Sequence, residues 1–337
     1  MAQPFTTFLM LFPFISNLIF TSSAFPHPLS SSVASSQINF WSANVLNKMP
    51  EAISNKLSPL TKHDAEYYAE TISKDNFKAD AKFCSLAKLA CSIVFDDIKT
   101  VKEAYAVTKT YGNQKMIIPL EKVDPFSFFR LSILKEGNTI LLSNLKESLP
   151  YRAFLPPEIA GKISLSSKGI PKIFPESSKE ATETTLSYCN AAAIKGERKV
   201  CPKSLEEMIS FSKSALGKNK LLALTSKSTK GSGDELKIKK IKQFDVEKIV
   251  ACHEMYLPFA TYFCHSLPSS RIYSVDFVEP KSGAPVNTVI AVCHIDTSPW
   301  PADHVAFQLL KFRPGQGEAC HWLNEIDLAW IAGGDNM

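Results

Sequence analysis

The sequence has no charged side chain before Lys48, no Asn-x-Ser/Thr sequon, and only 13 glycines among 337 residues. Each shortage excludes something. Without a sequon, N-linked glycosylation is not expected. The glycines form neither a phosphate-cradling loop nor a nucleophile elbow, which sets aside the nucleotide-binding and hydrolase chemistries built on them. The uncharged N-terminus carries an apolar run over residues 5–20, followed by Thr21, Ser22, Ser23 and Ala24. Pro13 interrupts that run, and it is shorter than the ~20 residues needed to span a bilayer. It reads as a secretory signal peptide, residues 1–24, cut after Ala24. No later segment is apolar enough to cross a membrane, and 45% hydrophobic content suffices for a sizeable core.

Export changes the meaning of the cysteines. There are 8, an even number: Cys84, Cys91, Cys189, Cys201, Cys252, Cys264, Cys293 and Cys320. An oxidising compartment favours disulfides over free thiols. In one uninterrupted helix the Cα atoms of Cys84 and Cys91 would lie ~10 Å apart, beyond the ~7 Å that a disulfide spans. If they pair, the chain turns between them. Cys189 and Cys201 enclose a short segment containing Gly196, a spacing that suits a disulfide-closed loop. The last four cysteines leave three pairings open.

Composition divides the rest. Residues 25–37, rich in Ser and Pro, suggest a disordered leader. Residues 38–97 suggest a small helical module, with Thr61 as a helix cap. Residues 98–123, with Tyr105, Tyr111 and Gly112, lack core periodicity and read as a linker. A larger unit, residues 124–333, opens on Phe126, Phe128 and Phe129. Its clearest helix starts at the capping box of Ser204 and Glu207, carries Leu205, Met208, Ile209, Ser212, Ala215 and Leu216 on one face, and stops at Gly217. Beyond it the period becomes alternating, which predicts strands near residues 221–225, 236–241, 272–277 and 286–293. The order is α+β, with mainly antiparallel neighbours. Residues 195–248 hold fourteen Lys and Arg against seven Asp and Glu. Such a run is commonly a solvated face; the functional reading is a basic surface for an acidic polysaccharide such as pectin. Nucleic acid is not an expected partner of an exported chain, and no membrane partner is indicated.

Four Cys-His dipeptides fall in the last quarter: Cys252-His253, Cys264-His265, Cys293-His294 and Cys320-His321. Neighbours on a strand point to opposite faces. The cysteines can therefore be buried and oxidised on one side while neutral imidazoles gather on the other. A site of imidazoles alone suits copper, zinc or nickel, and copper is the first choice for an oxidising compartment. The alternative is purely structural, with each histidine packing beside a disulfide. Asp296 either steadies a ligating ring through its second nitrogen or caps its own turn.

The intervals of ten, twenty-seven and twenty-five residues between these dipeptides, with Trp322 after the last and Phe128-Phe129 upstream, resemble the plant BURP domain over residues 126–333. Ser58-Pro59-Leu60, Phe83-Cys84-Ser85 with Cys91, Leu134-Lys135-Glu136-Gly137, Phe154-Leu155-Pro156, the run from Val292 through Ser298, and Ala319-Cys320-His321-Trp322 extend the resemblance to the non-catalytic polygalacturonase beta-subunit type. The tract of Phe-x-x-Tyr repeats typical of that type is missing. The resemblance implies an apoplastic, cell-wall protein acting with pectin and polygalacturonase, non-catalytic, with copper on His253, His265, His294 and His321. It also implies an alternative, since some BURP domains are copper-dependent, autocatalytic peptide cyclases that join a Tyr or Trp side chain to another residue. The nearest candidate core peptide is residues 37–41, whose Trp41 is read first as a packing aromatic.

Overall fold

The computed structural model describes residues 32–74, 76–92, 109–111, 114–116, 124–146, 149–228 and 234–334. The expected signal peptide and Tyr105 lie outside them. The helices are α1 (Val33–Asn44), α2 (Glu51–Ser54), α3 (Lys62–Ser73), α4 (Ala81–Leu86), α5 (Pro157–Ala160), α6 (Gly169–Ile173), α7 (Lys179–Cys189), α8 (Leu205–Leu216) and α9 (Val305–Leu310). The strands are β1 (Lys109–Tyr111), β2 (Gln114–Met116), β3 (Phe128–Phe129), β4 (Thr139–Leu141), β5 (Arg198–Val200), β6 (Leu221–Leu224) and β7 (Lys227–Ser228). There follow β8 (Glu235–Phe244), β9 (Val250–Glu254), β10 (Tyr262–Ser266), β11 (Ser270–Val278), β12 (Pro285–His294), β13 (Ala319–Trp322) and β14 (Leu328–Ala332).

Two boundaries differ from the sequence reading. The leader cannot extend to residue 37, because the Ser32 hydroxyl accepts from the Ser35 N–H and starts α1 at Val33. The segment read as a linker holds a short hairpin, with Lys109 opposite Met116. Other local signals fold as expected. Thr61 caps α3 and Ser204 caps α8, and Gly217 closes α8 at φ 66, a left-handed angle that suits glycine. The chain turns after α4, where Lys88 takes φ 50, bringing the Cα atoms of Cys84 and Cys91 to 6.0 Å in a disulfide.

The strands form two main sheets, each with antiparallel neighbours. One has five strands in the order β5-β10-β9-β14-β6; the other runs β3-β13-β12-β11-β8-β4, with β7 on β12. They face each other across a layer of Ala329 and Ile331 from the first sheet, with Ile249 just before β9, and Ile272, Ile290 and Val292 from the second. Behind the first sheet, Leu205, Met208 and Ile209 of α8 pack on Val250, Cys252 and Cys264. Behind the second, Leu142, Leu145 and Phe129 cover Val289, Ala291, Cys293 and Cys320.

The N-terminal helices share these cores. Trp41 of α1 lies 5.5 Å from Trp330 of β14, centroid to centroid. The Asn47 side chain donates to the Ala223 carbonyl at 2.8 Å and accepts from the Ala223 N–H at 3.0 Å, which satisfies the outer edge of β6. Val33, Leu60 and Phe83 pack with Ile159, Phe174 and Phe259 in a further cluster. Helix-period and strand-period segments thus close on common apolar layers. Among the described residues no helix is long and apolar enough to cross a membrane.

Candidate functional site

Strand alternation sorts the Cys-His dipeptides. On β9 and β10, Cys252 lies opposite Cys264 and the two are bonded; on β12 and β13, Cys293 lies opposite Cys320 and is bonded to it. Cys189 pairs with Cys201. Both cross-strand disulfides sit in the outer cores, and their neighbouring histidines turn into the space between the sheets. There the rings close a circuit. His253 and His265 are 5.6 Å apart by centroid, His265 and His294 6.3 Å, His294 and His321 5.4 Å, and His321 and His253 5.8 Å.

Each ring is held through Nδ1. That of His253 lies 3.0 Å from Asp327 Oδ2, that of His265 3.2 Å from Glu197 Oε1, that of His294 2.9 Å from Ser270 Oγ, and that of His321 3.3 Å from the Trp322 carbonyl oxygen. The Nε2 atoms are left for the interior. Those of His294 and His321 stand 3.4 Å apart, and that of His265 is buried with no hydrogen-bond partner among the described residues.

Burial sets the electrostatics. It drives the His253 and His294 imidazoles well below their ordinary range, with His265 adding to the effect on the first and His321 on the second. Burial, then the nearby His253, brings His321 down to about 3. Asp327 is pushed up to about 7 by burial, against the hydrogen bonds it accepts from the Glu254 and Asn324 N–H groups. Burial also pulls Glu197 upward, but its hydrogen bond and attraction to His265, aided by the Ile194 N–H, hold it below the usual carboxylate value. His253, His294 and His321 are thus neutral imidazoles, the form that donates a lone pair to a metal.

The four histidines come together, and of the two roles open to Asp296 it takes the second. Asp296 is exposed, and its Oδ1 accepts from the Ser298 N–H at 2.9 Å, capping its own turn. The groups that steady the rings are Asp327, Glu197, Ser270 and a main-chain carbonyl. The three side chains are distant in sequence or strand-paired, and only the register, Ser270 opposite His294, could have revealed one of them; the carbonyl is that of Trp322, next to His321. His304 was also missed. It lies 4.5 Å from Trp300 and 5.7 Å from Phe128, ring to ring, and its Nδ1 accepts from the Ala306 N–H. A cleft of about 150 Å³ opens onto the cluster, walled by Phe128, Phe263, Leu267 and Trp300 and edged by Lys199 and His304.

Among the described residues no three His, Cys, Asp or Glu side chains form a ready-made metal-holding group. The donor set nevertheless fits a metal that takes imidazole. Two nitrogens on one tetrahedral metal lie about 3.3 Å apart at the bond lengths of zinc, close to the 3.4 Å between the Nε2 atoms of His294 and His321.

A protein from Arabidopsis thaliana named polygalacturonase 1 beta-like protein 1 is 40% identical over 218 residues, covering 62% of this chain and 35% of that protein. The Solanum lycopersicum polygalacturonase-1 non-catalytic subunit beta is 38% identical over 218 residues, 62% of this chain and 34% of its own length. The chain therefore spans about a third of these two relatives. BURP domain-containing protein 16 of Oryza sativa subsp. japonica is 30% identical over 341 residues, covering 93% of this chain and 95% of that protein. The BURP domain itself matches residues 127–332, the span that holds both sheets and all four Cys-His dipeptides, and the chain belongs to the BURP family.

Proposed function

We propose that this is an exported, non-enzymatic BURP protein of the cell wall that associates with acidic pectin and with polygalacturonase, and that binds copper through His253, His265, His294 and His321. The likeness to polygalacturonase non-catalytic subunits carries the first part. The pectin-binding surface proposed is narrower than the whole basic segment. The basic segment is not one surface, because Lys203 donates to the Ile163 carbonyl, Lys213 to Asn44 and Lys199 to the Tyr188 carbonyl. A row remains on β8, where Lys237, Lys239, Lys240 and Lys242 are all exposed. Beyond Ile238, whose backbone still bonds Gly137 and Asn138, this strand is an edge among the described residues, where lysines also hinder edge-to-edge association.

Sedimentation with polygalacturonate separates the two roles. A binding surface predicts retention that weakens as salt rises and is lost in the Lys237→Glu, Lys239→Glu, Lys242→Glu variant. Retention unchanged by salt and by the variant would sink the pectin reading. A pull-down of purified polygalacturonase tests the enzyme partner separately. For the metal, neutral imidazoles with braced Nδ1 atoms and the partnerless Nε2 of His265 support copper. Bound copper would supply a one-electron redox centre. Copper retained by the wild type and lost in the His294→Ala, His321→Ala variant is the expected result.

The cleft favours a second reading, an autocatalytic peptide cyclase. An apolar cavity of roughly 150 Å³ accepts a benzene-sized ring, which matches the volume beside the cluster. A cross-link that removes two hydrogens, detected by peptide mass spectrometry after incubation with copper and absent in His294→Ala, would establish it. Trp41 is a poor substrate, since it is buried against Trp330 with its Nε1 donating to the Asn47 carbonyl.

A further inference from the structure

A neutral imidazole has one N–H and one lone pair, so the partner of Nδ1 decides what Nε2 presents. The Trp322 carbonyl can only accept, which puts the proton of His321 on Nδ1 and leaves its Nε2 bare. The ionised Glu197 does the same for His265, and Asp327 does so for His253 whenever its carboxyl is ionised. His294 differs, because its Nδ1 meets the Ser270 hydroxyl, which both donates and accepts.

The other side of His294 fixes the choice. Its Nε2 faces the Nε2 of His321 at 3.4 Å. The two ring planes are within 21° and the centroids 5.4 Å apart, so the nitrogens meet edge to edge rather than ring over ring. Two bare lone pairs at that separation would repel. With His321 bare at Nε2, His294 must carry the proton there. Its Nδ1 is then the acceptor, and the Ser270 O–H donates to it.

We propose that Ser270 is a positioning residue that allows His294 to exist in two tautomers, Nε2–H in the metal-free protein and Nδ1–H when a metal occupies Nε2. The second half rests on the metal reading above. On metal binding the Nε2 proton leaves to water, water returns one to Nδ1, and the Ser270 hydroxyl rotates to accept it, so no net proton is exchanged. A carboxylate at position 270 would hold His294 permanently as a ligand but would set two lone pairs against each other in the metal-free protein. The serine relieves that repulsion through the bond from His294 to His321.

Histidine nitrogen–proton correlation spectra of the full, disulfide-intact chain in chelator test the assignment. His321 and His265 should appear as Nδ1–H and His294 as Nε2–H; addition of zinc, a diamagnetic probe, should convert His294 to Nδ1–H. Finding His294 already Nδ1–H in the metal-free protein overturns the proposal. In Ser270→Ala, the metal-free His294 should keep its Nε2 proton, with unchanged spectra elsewhere as evidence of folding. Zinc affinity should fall about 10–100-fold, as for other groups that orient a metal ligand, and Ser270→Thr should restore it. An undiminished affinity in the alanine variant also overturns it. If neither zinc nor copper binds the wild type, the metal reading and the second half of the proposal fail together, while the metal-free spectra still decide the first.

Discussion

Burying a histidine beside other histidines removes its charge, and the protein must then keep it neutral to stay folded. Burial pushes His304 down to about 3, with His321 adding to the effect and Asp303 opposing it, and brings His321 itself to about 3. His304 is faced by Phe128, Trp300 and Phe307 besides His321. These folded values lie below the unfolded value of about 6.5, so as pH falls below that point the unfolded chain takes up protons the folded chain refuses. Stability is therefore complete above about 6.5 and lost as pH drops toward the folded value. Asp327, raised to about 7, acts in the opposite direction, binding a proton in the folded state first. In chelator, the disulfide-intact protein should lose stability on acidification from pH 6.5, by up to about 1.4 kcal/mol per pH unit for each such histidine. The His304→Gln variant, which removes a group outside the Cys-His dipeptides, should show a shallower slope in a thermal-unfolding series. Equal slopes would show that His304 is not held neutral by the fold.

At the scale of the element, each of the two cross-strand disulfides braces a pair of antiparallel strands on the face opposite its histidines. Cys252 and Cys264 are separated by 12 positions and Cys293 and Cys320 by 27. On the loop-closure account these are worth about 3 and about 3.5 kcal/mol. The Cys252→Ala, Cys264→Ala variant should lower the unfolding free energy by about 3 kcal/mol in denaturant titration. A change below about 0.5 kcal/mol, the scatter of ordinary surface substitutions, would contradict the bracing role. The sorting of Cys from His was legible because strand period is local, a property of adjacent residues such as Cys293 and His294. The helix at Ser204 was legible for the same reason, since its capping box and apolar face lie within one short stretch. Which of the last four cysteines pair was not legible, because that depends on which strands become neighbours. The same gap in distance explains Asp296, which was near in sequence and spent on its own turn. Asp327 and Glu197, 74 and 68 positions from the histidines they hold, reach them only through sheet order. The helical start at Val33 was hidden by a Ser- and Pro-rich composition in which Ser32 is both a leader-like residue and a cap.

For the whole molecule the question is whether the N-terminal helices are a separate module, as their composition suggested, or part of the structure that carries the histidines. The contacts favour integration. Lys56 pairs at 2.9 Å with Glu254, which follows His253 and also holds the fully buried Arg152. The Glu254 N–H in turn donates to Asp327 Oδ1, the carboxylate that holds His253. Trp41, with 3% of its surface exposed, packs among Leu205, Met208 and Trp330 in the core behind the Cys252–Cys264 disulfide. Replacing it removes apolar volume that the surrounding sheet and helix cannot fully refill, so Trp41→Ala should cost about 3–5 kcal/mol. Integration also predicts how the loss appears. With a shared core, the wild type and the variant should each unfold in one cooperative transition, and the fluorescence of the remaining tryptophans should report the same shifted midpoint as far-ultraviolet circular dichroism. A separate module would instead give Trp41→Ala an early transition confined to the helical signal, with the midpoint of the sheet domain unmoved. That outcome would detach the N-terminal helices from the histidine site and, with them, any coupling through Lys56 and Glu254.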